Sequence, residues 1–238
     1  MKPLQLNDLI LFEDDNFLLI NKPAFIATLD ERDTTRPSIL QLLAEKYEDI
    51  QLAHRLDKET SGVLAAVKNP EAYRHISLQF QNREVSKVYH AFVNGIWNFD
   101  DEHASWPIAV STRRNVRIDT VEGKPSETIF STLKTFQKHT LIECKPITGR
   151  MHQIRIHLAA LNAPICADIM YGGVFTYLSE IKRKFKLKQG TEELPLISRV
   201  ALHAYSLTFT DMDGKEQKVK APYPKDIRAF LRQLENNS

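Results

Sequence analysis

A dense group of ionisable side chains lies at residues 54–59, immediately ahead of an apolar run that begins at Gly62. Five of these six residues are ionisable, and Asp57 stands in the middle of the group. By composition alone the group is more typical of a solvated turn, because Asp, Thr, Ser and Gly are all favoured in turns. A carboxylate at a loop-to-strand junction can also attack an electrophilic carbon, so Asp57 is a candidate nucleophile.

Two further segments combine polar and apolar residues in a pattern that could build a site. Residues 86–94 alternate as a strand does, which places Lys87, Tyr89 and Ala91 on one face. In the predicted helix 151–161, His152 and Arg155 are three residues apart and should project together from one face. Taken alone, these patterns also fit a packed strand tyrosine and an ordinary polar helix face.

The elements that must position these residues follow from hydrophobic periodicity and turn signals. Strands linked by tight turns outnumber βαβ units, so we expect the α+β class with a mainly antiparallel sheet and flanking helices. The predicted elements are a hairpin across residues 9–23, a helix after Ser38 that runs through Tyr47, a strand at 62–67, a helix at 70–82, a strand at 86–94, paired strands at 128–136 and 140–147, a helix at 151–161, a hairpin around 211–214 and a helix after Pro224.

The domain organisation is expected to be simple. Residues 1–238 contain no repeat, no low-complexity tract and no long Pro/Gly/Ser linker, which predicts one catalytic domain. Residues 174–198 are both apolar and basic and are expected to form a helical insertion. Few residues precede Leu9, so we expect no additional small domain at the N-terminus.

Composition excludes several classes of protein. No apolar run reaches the roughly 18 residues that span a bilayer, and the N-terminus lacks a secretory pattern, so we expect a cytoplasmic protein. Cys144 and Cys166 each lie in an apolar segment and are expected to be buried thiols. The net charge of +2 is modest, but residues 1–50 carry five Lys/Arg and ten Asp/Glu, which leaves +7 for residues 51–238.

The basic excess is concentrated in two groups of residues. They are Arg113, Arg114 and Arg117, and then Lys182, Arg183, Lys184, Lys186 and Lys188. Either group could follow a phosphate backbone, although short basic runs are more often solvated surface.

Together the segments match a known set of motifs. Residues 54–62 read HRLDKETSG, and the sequence resembles the RluA-type pseudouridine synthases of the RluA/RsuA family, whose signature is HRLDxxTSG. The family's other motifs follow in order over nearly the whole chain, as Asn21-Lys22-Pro23-Ala24, Lys87-Val88-Tyr89, residues 148–157 (TGRMHQIRIH), Pro164-Ile165 with Asp168 and Tyr171-Gly172-Gly173, and Leu202-His203-Ala204.

The resemblance implies catalytic roles for three residues. Asp57 would be the carboxylate that helps to break the bond between C1′ and N1 of a uridine, so that the ring can rejoin through C5. Attack on the sugar, attack on the base and formation of a glycal all remain open. Arg155 would pair with Asp57 and orient it, and Tyr89 would stack on the uracil and assist proton transfer.

The resemblance also implies a structured RNA, such as a ribosomal or transfer RNA stem-loop, as the partner. The target base would be flipped out of the helix, and Arg55 is the candidate to fill the vacated space. His54, Lys22, Lys87 and Arg150 are the further candidate RNA contacts. The resemblance implies an isomerase that needs neither cofactor nor metal, and we expect a monomer.

One part of the chain departs from the family pattern. Ala167 stands where the family often has Gly, and the adjacent Cys166 is also less usual. These changes affect the expected loop conformation more than the chemistry.

Two other classes of function are weighed against the enzyme. A non-catalytic RNA-binding module is disfavoured by the presence of Asp57, Tyr89 and Arg155. A zinc hydrolase would have to assemble a donor set from the histidines, whose spacing matches no HExxH or finger pattern. These histidines are His54, His152, His157 and His203.

Overall fold

The structure is a computed structural model that describes residues 5–30, 37–112 and 115–238. Its strands are β1 Ile10–Glu13, β2 Phe17–Lys22, β3 Gln51–Leu52, β4 Ser61–Val67, β5 Ser86–Asn94, β6 Glu102–Ala104, β7 Ile108–Val110, β8 Val116–Ile118, β9 Thr128–Thr135, β10 His139–Pro146, β11 Leu202–Thr210 and β12 Glu216–Lys220. Its helices are α1 Ile39–Ala44, α2 Pro70–Asn82, α3 Gln153–Ala160, α4 Leu178–Ile181 and α5 Lys225–Asn236, with short 3-10 turns at Leu6–Leu9 and Ile169–Tyr171. Pairing is mostly antiparallel, and the predicted α+β class is confirmed.

The chain forms two compact units, residues 1–88 with 203–222 and residues 89–202 with 223–238. The boundaries fall inside β5 and at the start of β11. The expectation of one catalytic domain over residues 1–238 stays a prediction.

The first unit is built on β4, whose seven residues are all buried. On one side β4 pairs with β2 along residues 62–67, and on the other it runs parallel to the start of β11 and pairs with β3 at Ala66 and Val67. The β1–β2 hairpin turns at Asp14, whose Oδ1 accepts hydrogen bonds from the N–H groups of Asn16 and Phe17 at 2.8 and 2.6 Å. The core of this unit packs Phe17, Ile76 and Phe209 around the sheet.

Helix α2 begins and ends at the predicted residues because its sequence carries its own boundary signals. Asn69 caps the helix by accepting from Ala72 N–H at 2.9 Å, and Pro70 takes the first helical position. The helix ends where Arg83 adopts a left-handed conformation.

The second unit is built on β10, which pairs antiparallel with β5 and β9, and β6 pairs with the other side of β9. Tyr89 on β5 lies opposite Cys144 on β10. Phe92, Phe130 and Phe230 are fully buried in the core, which α3 and α5 cover with apolar residues.

Both cysteines are buried thiols, as predicted. Burial raises the pKa of Cys166 to about 12. Neither thiol would form a reactive thiolate at neutral pH.

Three predicted boundaries change. Helix α1 ends at Ala44 and does not reach Tyr47, and α3 begins at Gln153 and not at Met151. In the range 174–198 the helix is limited to Leu178–Ile181, so the predicted helical insertion is mostly irregular.

Among the described residues, no helix has the length and apolar composition required to span a bilayer.

Candidate active-site loops

Residues 53–60, which contain most of the signature, form the loop that joins β3 to β4 in the first unit. Leu56 points into the protein and is 4% exposed, Asp57 beside it is half-buried, and Arg55 on the other side is exposed. Thr60 N–H donates to the carbonyl of Asp57 at 3.0 Å, which closes a turn immediately after the carboxylate. The loop therefore buries Leu56 and leaves Arg55 and part of Asp57 accessible to solvent.

Thr28 holds the backbone just before Asp57. Its buried hydroxyl donates to the carbonyl of Leu56 at 2.6 Å and accepts from the N–H of Leu56 at 3.2 Å. Both backbone polar groups of Leu56 are thus satisfied by one side chain, which restricts the peptide planes on either side of that residue.

Lys22 holds the backbone just after Asp57. Its ammonium donates to the carbonyls of Pro23 at 2.9 Å, Ile26 at 2.8 Å and Lys58 at 3.3 Å. The N–H of Phe25 donates to the same Lys58 carbonyl at 2.7 Å. Lys22 is fully buried, so the structure does not support it as a contact to RNA phosphate, and its ammonium instead connects two loops.

The end of the loop is fixed by close pairing with β11. Ser61 Oγ lies 2.9 Å from Nδ1 of His203, and Nε2 of His203 lies 3.2 Å from the carbonyl of Ala221. A carbonyl can only accept, so Nε2 carries the proton and Nδ1 accepts from Ser61.

Gly62 has φ +117°, and a Cβ there would lie 2.1 Å from the carbonyl oxygen of Ala204. No other residue fits at this position, which explains the glycine of the signature.

His54 takes a structural role. Its Nε2 accepts from the N–H of Ala65 at 3.1 Å, and its ring packs 5.4 Å from the ring of Phe80. Burial, helped by the positive charge of Lys87, lowers the pKa of His54 to about 4. The imidazole is neutral at pH 7, so the structure does not support His54 as a cationic RNA contact.

Lys87 and Tyr89 lie on the same face of β5, as predicted, and both are half-buried. Burial lowers the pKa of Lys87 to about 8, so the protonated form of Lys87 still predominates at neutral pH.

In the second unit, Arg155 forms a buried pair with Asp168. Nε and Nη2 of Arg155 donate to the two carboxylate oxygens of Asp168, both at 2.7 Å, and both side chains are less than 9% exposed. The guanidinium carbon lies 5.1 Å from the centre of the Tyr171 ring. The motifs include Asp168, but no signal in the sequence predicts that it pairs with Arg155. The predicted pairing of Arg155 with Asp57 stays a prediction.

His152 and Arg155 do not share a helix face. His152 precedes α3 and has φ +53°, so it lies in the left-handed region outside the helix. Its Nδ1 is 2.9 Å from the hydroxyl of Tyr171, the ring that Arg155 also contacts. The two residues therefore meet at Tyr171 and not through helical spacing.

Gln153 organises the preceding turn. Its Oε1 accepts from Thr148 Oγ1 at 2.6 Å and from the N–H of Arg150 at 2.9 Å. Arg150 itself is exposed, and its Nε donates to the carbonyl of Pro125 at 3.1 Å.

The loop that carries Asp168 tolerates the missing glycine. Ala167 has φ +62°, a region that glycine enters at little cost and alanine only with strain, so the glycine expected from the family pattern would suit this position. Its N–H donates to the carbonyl of Val174 at 2.9 Å, and the N–H of Gly173 donates to the carbonyl of Asp168 at 2.9 Å. These two hydrogen bonds close the loop although alanine stands where the family pattern has glycine.

Within the described ranges, there is no group of three or more His, Cys, Asp or Glu residues that could hold a metal ion. His157 instead contacts Ser126, Thr128 and the carbonyl of Trp106, and His203 contacts Ser61 and Ala221. The zinc alternative therefore has no site in the described part of the chain.

Each unit thus places one set of motif residues in a hydrogen-bonded loop next to a largely antiparallel sheet.

Comparison with known proteins identifies the family. Residues 16–160 match the family described as RNA pseudouridylate synthase. The chain is 35% identical to "Ribosomal large subunit pseudouridine synthase C" of Escherichia coli strain K12 over 242 residues, which cover 99% of this chain and 72% of that protein. The protein of the same name from Vibrio vulnificus strain CMCP6 is 32% identical over 236 residues, covering 98% and 71%.

Among solved structures, "Human RNA Pseudouridylate Synthase Domain Containing 4" has the same fold, with a TM-score of 0.73, 21% identity, and coverage of 97% of this chain and 94% of that one. The chain belongs to the RNA pseudouridylate synthase family. It is a pseudouridine synthase, an isomerase that converts uridine to pseudouridine in RNA.

Proposed function

We propose that the chain modifies a uridine of large ribosomal subunit RNA and that Asp57 is the reacting carboxylate. The observation that carries the assignment of Asp57 is the fixed backbone around it, since Thr28 binds the residue before it and Lys22 and Phe25 bind the residue after it. A reacting group held in this way loses little entropy when it is aligned with its substrate. The RNA class is taken from the names of the two bacterial relatives.

The reaction requires one bond exchange and one proton exchange. The bond between C1′ and N1 breaks, a bond between C1′ and C5 forms, C5 loses its proton, and N1 gains one. The product is an isomer of the substrate, so no oxidant or reductant is consumed. Asp57 starts the exchange as a nucleophile or base, at the sugar or at the uracil.

Tyr89 and Arg155 are proposed to complete the catalytic set. Tyr89 would stack on the uracil and assist removal of the C5 proton. Arg155 would orient Asp57, and a guanidinium has five N–H donors, so its bonds to Asp168 through Nε and Nη2 are compatible with a second carboxylate.

The target nucleotide must leave its helix before Asp57 can reach it, which costs a few kcal/mol of stacking and pairing. Arg55 is exposed and two residues from Asp57, so it is proposed to fill the space that the flipped base leaves. Lys87 and Arg150 are proposed as further contacts to the RNA backbone. We place the enzyme in the cytoplasm, where it would act as a monomer.

Deleting the gene in its host and mapping pseudouridines in total RNA tests the RNA class. We expect one or a few pseudouridines of large-subunit RNA to disappear and to return when the wild-type gene is supplied on a plasmid. If a transfer RNA site disappeared instead, the RNA class would be wrong and the enzyme activity would stand. An unchanged pattern in all RNA would contradict the proposal.

A further inference from the structure

A long surface loop connects Thr176 to Leu196, and its middle carries a concentrated positive charge. Five of the seven residues 182–188 are Lys or Arg, and all five side chains are exposed. We call residues 182–188 the basic loop. It contains Phe185 and Leu187 as its only other members, and Leu187 is 46% exposed.

The ends of this surface loop are anchored to the second unit. The N–H of Leu196 donates to the carbonyl of Thr176 at 2.8 Å, which closes its base. Ile181 and Ile197 are buried in the apolar core, and the buried hydroxyl of Thr176 lies 2.8 Å from Nε2 of His139. The basic loop therefore extends from a fixed base.

Two of the three acidic residues that flank the basic loop within residues 176–196 bind backbone N–H groups. Glu180 accepts from the N–H of Tyr177 at 2.9 Å, and Glu193 accepts from the N–H of Ser179 at 2.8 Å, so both carboxylates bind backbone at the start of α4. Within the ranges that the structure describes, no ion pair joins any of the five cations to a carboxylate.

Several other cations of the chain do have a carboxylate partner. Lys68, Arg117 and Lys134 are each paired with a carboxylate on the surface, and Arg199 is buried against Asp226. Arg113 and Arg114, which belong to the first predicted basic group, lie outside the described residues. The basic loop is thus a group of like charges that repel one another in the unbound protein, and a polyanion would remove that repulsion.

We propose that the basic loop binds the phosphate backbone of the RNA substrate and takes no part in the chemical step. The inference rests on the proposed function for its choice of RNA as the polyanion. Flexible ammonium groups on an anchored loop suit phosphates, whose contacts add affinity without reading sequence. The expected result is tighter RNA binding with no change in the chemical step.

The test compares two triple substitutions with the same loss of charge. Lys182, Lys184 and Lys186 are changed to Gln in one variant, and the exposed Lys218, Lys220 and Lys225 are changed to Gln in the control. Kd for transcribed large-subunit RNA is measured by filter binding at several salt concentrations. In parallel, kcat and KM are measured by tritium release from the same RNA labelled at C5 of uridine.

For the basic-loop variant we expect Kd and KM to rise about tenfold or more at low salt, with kcat within twofold of wild type. The slope of log affinity against log salt should fall by about 2, since each lost phosphate contact contributes roughly 0.7 to 0.9. The control variant should change Kd by less than about threefold, and changing the three loop lysines to Arg should preserve binding because the charge is kept.

Equal effects in the two Gln variants would mean that only total charge matters, and an unchanged Kd in the basic-loop variant would overturn the proposal directly. Tighter binding of the wild type to an acidic protein or to anionic vesicles than to RNA would also overturn it. If the wild-type protein binds RNA through the basic loop but releases no tritium, the proposed function fails while the docking surface stands.

Discussion

Two functional regions of this chain are built differently: the basic loop, and the loop of residues 53–60, which we call the Asp57 loop. The Asp57 loop is tied on both sides by buried side chains, and its exposed members are few. The basic loop is tied only at its base, and each of its cations extends into solvent. Chemistry requires a carboxylate at a defined position, whereas phosphate contacts require charge with freedom to adapt.

The largest effect on stability is expected at the buried pair beside Tyr171. Asp168→Asn removes a charge that Arg155 faces and should lower the free energy of unfolding by about 3 kcal/mol, because a buried guanidinium loses the charged acceptor of two of its hydrogen bonds. Urea denaturation measures this loss. A variant as stable as wild type would show that Arg155 does not depend on Asp168. Lys134→Gln, which breaks an exposed pair with Glu235, is the control and should change stability by about 0.5 kcal/mol or less.

The hydrogen bonds that fix the Asp57 loop can be removed without changing the Asp57 carboxylate itself. Thr28→Val keeps the shape of the side chain but removes both hydrogen bonds to Leu56, so we expect kcat to fall about 10- to 100-fold with KM for RNA nearly unchanged. Thr28→Ser keeps the hydroxyl and should restore most of kcat. Steady-state tritium release measures both constants. A loss confined to thermal stability, with kcat intact at 25 °C, would mean that Thr28 serves the fold and not the position of Asp57.

Acidic pH should lower the stability of the folded protein and leave the basic loop charged. Burial lowers the pKa of His54, His90 and His139 to about 4 in each case, whereas an unfolded histidine titrates near 6.5. Between these values the unfolded chain binds more protons than the folded one, so stability is full above pH 6.5 and is lost as the pH falls toward 4. We expect Tm to drop by roughly 5–10 °C from pH 7 to pH 4.5. A Tm that stays constant over this range would contradict the neutral, buried histidines.

The smallest effect is expected at Ala167. Replacing it with Gly relieves the positive φ, and the free energy of unfolding should rise by about 0.5–1 kcal/mol. Chemical denaturation measures the gain, and Ala163→Gly in the same region, where φ is not in the left-handed region, should be destabilising. Destabilisation by Ala167→Gly would show that the alanine is not strained.

Local signals in the sequence predicted the elements whose boundaries they encode. The cap at Asn69 with Pro70 determines where α2 begins, and alternation over residues 86–94 determines β5. Long-range contacts were not predictable in this way. Thr28 and Leu56 are 28 residues apart and Ser61 and His203 are 142 apart, and no periodicity reports which distant side chains will meet.

In the candidate site too, local motifs were predictable from the sequence and the surroundings of each side chain were not. Matching motifs were enough to select Asp57, Tyr89 and Arg155 from the sequence. A lysine in a motif resembles a phosphate ligand until its burial is known, and Lys22 is buried against three backbone carbonyls. The left-handed turn at His152 likewise moved a residue out of the helix that periodicity predicted for it.

The central claim is tested most directly by Asp57→Asn in a single-turnover assay with C5-tritiated RNA and saturating enzyme. The substitution keeps the size of the side chain and removes the reacting carboxylate, so we expect tritium release to fall by at least about 10³-fold. Kd for the same RNA should stay within about threefold of wild type, because affinity depends mainly on phosphate contacts. Tritium release by Asp57→Asn within tenfold of the wild-type rate would contradict the assignment of Asp57 as the reacting group.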